Sequence, residues 1–170
     1  MDVKKAEFDR LVAECKMMVE GCGLKLPDNI YYTLNNRSKR RIGCCKRKYN
    51  NIIIEMSQNY FEEYLRVGDI EKIKDTLLHE MCHALPNGNS HGYIWKGYAN
   101  KINAKYGFNI KRLADIDEVI KSEKMKNANY FICCKQCGKT TPKQRASKQI
   151  KYIELYRCGL CGGKLEVKQA

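Results

Sequence analysis

All the histidines of this 170-residue chain, three in number, fall between positions 79 and 91. The first two belong to His79-Glu80-Met81-Cys82-His83, an H-E-x-x-H pattern. Residues four apart on a helix stand side by side, so both imidazoles can reach one metal ion. The glutamate between them is not a ligand. It is placed to take a proton from water at the metal, which is the chemistry of metal-assisted hydrolysis. A catalytic zinc site takes three protein ligands and leaves a fourth position open. His91 is the remaining histidine, while Glu118 or Glu123 could supply a carboxylate in its place. The H-E-x-x-H-x-x-G-x-x-H spacing is not matched, because His91 lies two positions too far along.

A second constellation lies near the C-terminus. Cys134-Lys-Gln-Cys137-Gly and Cys158-Gly-Leu-Cys161-Gly are two CxxC knuckles with twenty residues between Cys137 and Cys158. Each knuckle presents two thiolates to one metal, and the glycine after it permits a tight turn. Four cysteines leave no open position, so this site would be structural, although Cys133 could compete in a shifted register. The reading is therefore two zinc ions per chain, one catalytic and one structural. The chain has ten cysteines, and its N-terminus, MDVKKAEFDR, is charged where a secretory signal would be apolar. Metal binding thus outweighs disulfides. Cys15, Cys22, Cys44, Cys45 and Cys82 lack knuckle spacing and read as buried small hydrophobes.

The elements that must position these groups can be read from periodicity. Phe8, Leu11, Val12, Cys15 and Val19 have helical spacing, ended by Gly21 and Gly23. IYYTL (30–34), the segment 37–48 and NIIIEM (51–56) read as a small three-stranded antiparallel sheet. Asp69 caps a helix that runs to Leu85, where Pro86 ends it. Ile70, Ile73, Leu77, Met81 and Ala84 form its apolar stripe, with His79 and His83 on nearly the opposite side. A further helix starts after Ser90, with Ile94, Trp95, Tyr98, Ile102 and Tyr106 on one side. Residues 109–128 read as a helix and then a linker, and at Asn129 the composition shifts. The expected domains are residues 1–128 and a zinc ribbon over 129–170.

The net charge is +13, with a pI near 9.3. Such an excess points to an acidic partner, most commonly nucleic acid. The first basic run is Arg37, Lys39, Arg40, Arg41, Lys46, Arg47 and Lys48. The second is Lys143, Arg145, Lys148 and Lys151, with Tyr152 and Tyr156 nearby. Residues 129–170 carry +7 of the total. No apolar run is long enough to span a membrane.

On DTLLHEMCHA (75–84), HGYIWKGYANKIN (91–103), Gly43-Cys44 before NIIIEMS, and the double CxxC module, the sequence resembles the SprT-like (Spartan-type) zinc metalloproteases. The resemblance covers about residues 30 to 165. It implies zinc ligands His79, His83 and His91, with Glu80 as catalytic base. Members of the family include proteases that degrade proteins crosslinked to DNA. The resulting expectation is an α+β, zincin-like metalloprotease domain followed by a zinc ribbon. The partners are a protein substrate and DNA, single- or double-stranded, with no membrane, and the chain is taken as a monomer. Tyr93 and Tyr98 are candidate oxyanion stabilisers. The expected setting is the cytoplasm of a bacterial or viral source, or the nucleus of a eukaryote. The rival classes are a non-enzymatic nucleic-acid-binding protein and a peptidase indifferent to DNA.

Overall fold

The computed structural model describes residues 3–39, 41–113 and 117–170. The fold is α+β, in two compact units, residues 1–119 and 120–170. No helix among the described residues is long and apolar enough to cross a membrane.

The first unit opens with α1 (Val3–Gly21), whose buried residues are the five the periodicity selects: Phe8, Leu11, Val12, Cys15 and Val19. Three strands follow: β1 (Ile30–Asn35), β2 (Gly43–Lys48) and β3 (Asn51–Ser57). Their order is β1-β3-β2. β2 runs antiparallel to β3, but β1 runs parallel to it. The sheet is therefore mixed, and the all-antiparallel expectation is corrected. The chain reverses between β1 and β2 and again between β2 and β3, so the first and third strands point the same way. An all-antiparallel sheet would need β2 in the middle. The centre instead goes to β3, which buries Ile52, Ile54 and Met56 on one face.

Directly after β3 comes α2 (Gln58–Val67), which periodicity along the chain did not single out. It begins without an intervening loop and buries Tyr60, Phe61 and Tyr64. The next helix, α3 (Ile70–Ala84), is capped as expected, with the Asp69 carboxylate accepting from the Lys72 N–H at 3.2 Å. Leu85 is extended, as the residue before a proline should be, and ends the helix. α3 packs against α1, α2, β2, β3 and α4 (Tyr93–Tyr106). It is accordingly wrapped more fully than a single stripe predicts. Leu78 and Cys82 are as buried as Leu77 and Met81, while Ile70 is only half-buried. In α4 the buried line is Trp95, Ala99 and Ile102. Ile94 and Tyr106 are exposed, which narrows the expected face.

Helix α5 (Glu118–Lys126) straddles the division between the units. The second unit is built on an antiparallel sheet of β4 (Tyr130–Cys134), β5 (Thr140–Lys143) and β6 (Leu165–Gln169), in the order β5-β4-β6. A single helical turn, α6 (Lys148–Lys151), and a 3-10 turn at Ile153–Leu155 lie in the connection between β5 and β6.

Candidate active site and metal centres

α3 carries His79 and His83, and the turn after it folds back to bring in His91. The His91 Nε2 lies 3.1 Å from the Nε2 of each of the other two. Tetrahedral zinc, with Zn–N of about 2.0–2.1 Å, sets its nitrogens about 3.3 Å apart, so the three fit one ion. This cluster contains no carboxylate. Glu123 is held by Lys126 at 3.0 Å and by Asn127, and neither it nor Glu118 joins a metal-competent group among the described residues.

Two of the imidazoles are fixed from behind. His83 Nδ1 lies 2.8 Å from the Gly88 carbonyl, and His79 Nδ1 lies 3.1 Å from the Lys111 carbonyl. A carbonyl there accepts an N–H, which leaves each Nε2 as the lone-pair donor that binds metal. The segment bearing Lys111 is itself clamped. Asn103 donates its amide to the Ile110 carbonyl at 3.0 Å and accepts the Ile110 N–H at 2.9 Å. Burial, followed by the neighbouring His83 and His91, lowers the His79 pKa to about 4, so its imidazole is neutral at pH 7. Trp95 forms a floor, its ring centroid 4.8, 5.5 and 4.7 Å from those of His79, His83 and His91.

Glu80 is 8% exposed and faces β2, where the Cys45 N–H donates to its carboxylate. Burial raises its pKa to about 7, against the pull of that N–H and of Arg41. Gly43 makes the approach of strand to helix possible. A Cβ there would lie 2.8 Å from both Glu80 Oε1 and Thr76 Cγ2. Glu80, the three histidines, Gly43 and Arg47 line one cleft of about 400 Å³.

The strand phase divides the first basic run. Gly43, Cys45 and Arg47 share the β3 face of Met56, Ile54 and Ile52, so they point at α3. Arg47 donates to the His83 carbonyl at 3.1 Å and to Asn89 Oδ1 at 3.0 Å, tying β2 to the end of α3. Lys46 takes the other face and pairs with Glu55 at 2.6 Å. Arg41 donates to Cys44 Sγ at 3.2 Å and lines a small polar pocket with Arg37. Lys39 and Lys48 are exposed. Arg40 lies outside the described residues. In the second unit Lys143 ends β5, and Arg145, Lys148 and Lys151 are exposed around α6. Tyr93 is 92% exposed, and the Tyr98 hydroxyl donates to the Pro86 carbonyl at 2.9 Å, so its proton is already engaged.

The four knuckle cysteines converge with Cys134 Sγ 3.5 Å from Cys161 Sγ and Cys137 Sγ 3.7 Å from Cys158 Sγ. Sulfurs on tetrahedral zinc stand about 3.8 Å apart, given Zn–S of about 2.3 Å. The N–H groups of Gln136 and Cys137 point at Cys134 Sγ. Those of Leu160 and Cys161 bring the Cys158 thiol down to about 6. Gly138 and Gly162 close the knuckles at φ 71°, in the left-handed region the sequence motif demands. Cys133, one step along β4, accepts from the Thr140 hydroxyl and is not in the cluster.

Trp95, Asn103 and the Lys111 and Gly88 carbonyls were not singled out by motif. Trp95 is the chain's one tryptophan and follows His91 by four residues, a helical spacing that could have marked it. The carbonyls carry no sequence signal, since every residue has one.

Comparison with known proteins bears on the first unit. The model of the SprT-like family matches residues 11–114. The human germ cell nuclear acidic protein is 36% identical over 97 residues, which is 48% of this chain and 13% of that protein. The Caenorhabditis elegans germ cell nuclear acidic-1 protein is 27% identical over 137 residues, 76% of this chain and 23% of that protein. The chain thus spans less than a quarter of either relative's length.

Proposed function

The chain belongs to the SprT-like family, and from that premise we propose that it is a zincin-like, zinc-dependent metalloprotease acting on DNA-associated proteins. One observation carries the reading: a buried carboxylate, Glu80, opens into the same cleft as three converging imidazoles. A merely structural histidine site has no use for that carboxylate. His79, His83 and His91 would hold zinc, which supplies a Lewis acid that polarises a carbonyl and acidifies water. Glu80 accepts the proton of the attacking water and passes it to the leaving amine. Arg47 and the Lys111 and Gly88 carbonyls hold the cleft's walls and ligands in place. Cys134, Cys137, Cys158 and Cys161 would bind a second, structural zinc.

The DNA-directed part of the reading is supported by the +13 charge and by the word nuclear in both relatives' names. A nuclear setting belongs to the same proposal. The test is Glu80→Gln in the zinc-loaded full chain, assayed on a protein substrate with and without DNA. Proteolysis should disappear while metal content stays unchanged. Retained turnover, or loss of metal, would overturn the general-base assignment. Cleavage that is indifferent to DNA would leave a protease without the DNA-directed role.

A further inference from the structure

The β2–β3 hairpin ends in a residue that the fold itself does not call for. Lys48 pairs with Asn51, which leaves Tyr49 and Asn50 as a two-residue turn. The first central position of such a turn favours glycine when it alone has a positive φ, as Tyr49 does here and Asn50 does not. Here it is a tyrosine at φ 54°. Any side chain with a Cβ and a bulky ring is disfavoured in that conformation. The ring gains no burial in return, since it is 93% exposed. Its described ring contact is with the Lys48 ammonium, 5.6 Å from the ring centroid.

The charge around the ring has one sign. Residues 43–51 hold Lys46, Arg47 and Lys48 and no acid. Lys46 is committed to Glu55 and Arg47 to the end of α3, so Lys48 and Tyr49 are what the tip presents outward. A cation beside an open aromatic face matches the phosphate and base of an unpaired nucleotide. A duplex keeps its base faces stacked, and an acidic peptide would use the cation but not the ring. The tip also has a definite relation to the cleft. Arg47 lines the cleft, and at about 3.4 Å per strand residue Tyr49 lies about 7 Å further along the edge.

We infer that the hairpin tip is a contact for single-stranded nucleic acid, with Tyr49 stacking on an unpaired base and Lys48 holding the adjoining phosphate. This rests on the reading that the protease works beside DNA. It adds to that reading the strand state recognised and the residue that recognises it.

The experiment measures anisotropy of fluorescein-labelled oligothymidylate, and of a blunt duplex of equal length, with the zinc-loaded full chain. Tyr49→Asn should weaken oligothymidylate binding by about five- to a hundredfold, the range of one lost stack, and leave the duplex nearly unchanged. Its melting temperature should not fall, because asparagine enters positive φ at less cost than tyrosine. Tyr49→Trp should keep the affinity. Lys48→Ala should shallow the log–log salt slope on the single strand by about 0.7, one phosphate's share. Unchanged affinity in Tyr49→Asn overturns the inference, and so does an affinity loss accompanied by a lower melting temperature. A raised KM for a peptide substrate with DNA binding intact would assign the tip to the protein substrate instead. If the wild-type chain binds neither strand, the DNA reading falls and takes this inference with it. If it binds both and Tyr49→Asn matches it, the tip alone is misassigned.

Discussion

The two candidate metal centres obtain their geometry from opposite sources. Around the histidine site the packed protein itself holds the ligands. Ile73, Leu77, Leu78, Met81 and Cys82 of α3 are all 0% exposed, and the imidazoles of His79 and His83 are aimed by backbone carbonyls on two segments outside that helix. Around the cysteine site there is little packed protein to do so. The buried apolar side chains of residues 120–170 are Ile120, Ala128 and Ile132, together with two of the cysteines themselves. The sulfurs are placed by the knuckle backbones, and a metal there would substitute for a core. An ion at the first site would be an addition to a folded unit; at the second it would be a constituent of the fold.

Chelation is the strongest way to break this comparison. Structural zinc contributes about 10–16 kcal/mol in small zinc-finger peptides, more than a unit with so few buried side chains can replace. Stripping metal from the full chain should therefore collapse hydrogen-exchange protection across β4, β5 and β6. Protection in α3 and β3 should persist. Uniform loss in both regions, or survival of the second sheet, would erase the distinction. Next in size is Gly43→Ala. The added methyl would sit 2.8 Å from Glu80 Oε1 and Thr76 Cγ2, both on the side of α3 that meets β2, so the carboxylate must move. On the proposed mechanism, displacing Glu80 should lower kcat by about 10²-fold, within the usual contribution of a general base, with metal content unchanged. An unaltered kcat would mean that strand and helix separate without cost to the cleft.

How much of this was legible in the sequence follows the same division. The knuckles are local motifs, so the cysteine cluster could be read residue by residue. α3 was legible because period, Asp69 cap and Pro86 stop agree. The sheet order was not, since alternation along a strand tells which side chains share a face but not which strand sits beside which. α2 was hidden because it follows β3 at once, and the period changes from 2 to 3.6 with no polar loop between them. The basic run at 37–48 looked like one surface. Strand phase sends Arg47 to α3 and Lys46 to Glu55, a division that became visible only once the β2–β3 register was known.

A smaller effect should come from Asn103, which would act on a metal at the histidine site at two removes. Its amide holds Ile110, and through it the Lys111 carbonyl that orients His79. Losing a direct partner of a ligand costs about 10–100-fold in metal affinity, and losing Asn103, one step further out, should cost about the lower end of that range. Asn103→Ala should show that loss at the histidine site by chelator competition, with the cysteine site unchanged. Equal weakening at both sites would point to general unfolding and not to ligand positioning.

The smallest expected effect is one of pH on the metal-free chain, and it sharpens the view that the histidine site is pre-formed. His79 has its pKa lowered to about 4 by burial, then by His83 and His91. An unfolded histidine titrates near 6.5, so between these values the unfolded chain binds the extra proton. By itself, this makes stability fall as pH drops from about 6.5 to about 4. Glu80 does the reverse. Burial raises its pKa to about 7, so below that the folded chain takes up a proton that the unfolded carboxyl does not bind until about 4.3. Over the shared window the two groups oppose each other, and the metal-free wild type should show only a shallow slope from this pair. Glu80→Gln keeps the acceptor for the Cys45 N–H but removes the titration, leaving the His79 dependence unmasked. Its melting temperature should fall more steeply than the wild type's between pH 6.5 and 4, while that of His79→Ala should fall less than the wild type's over the same range, with the lowered pKa of His91 common to all three chains. Parallel curves for all three chains would mean that neither group is desolvated in the folded, metal-free state, and that the cleft forms only around its ion.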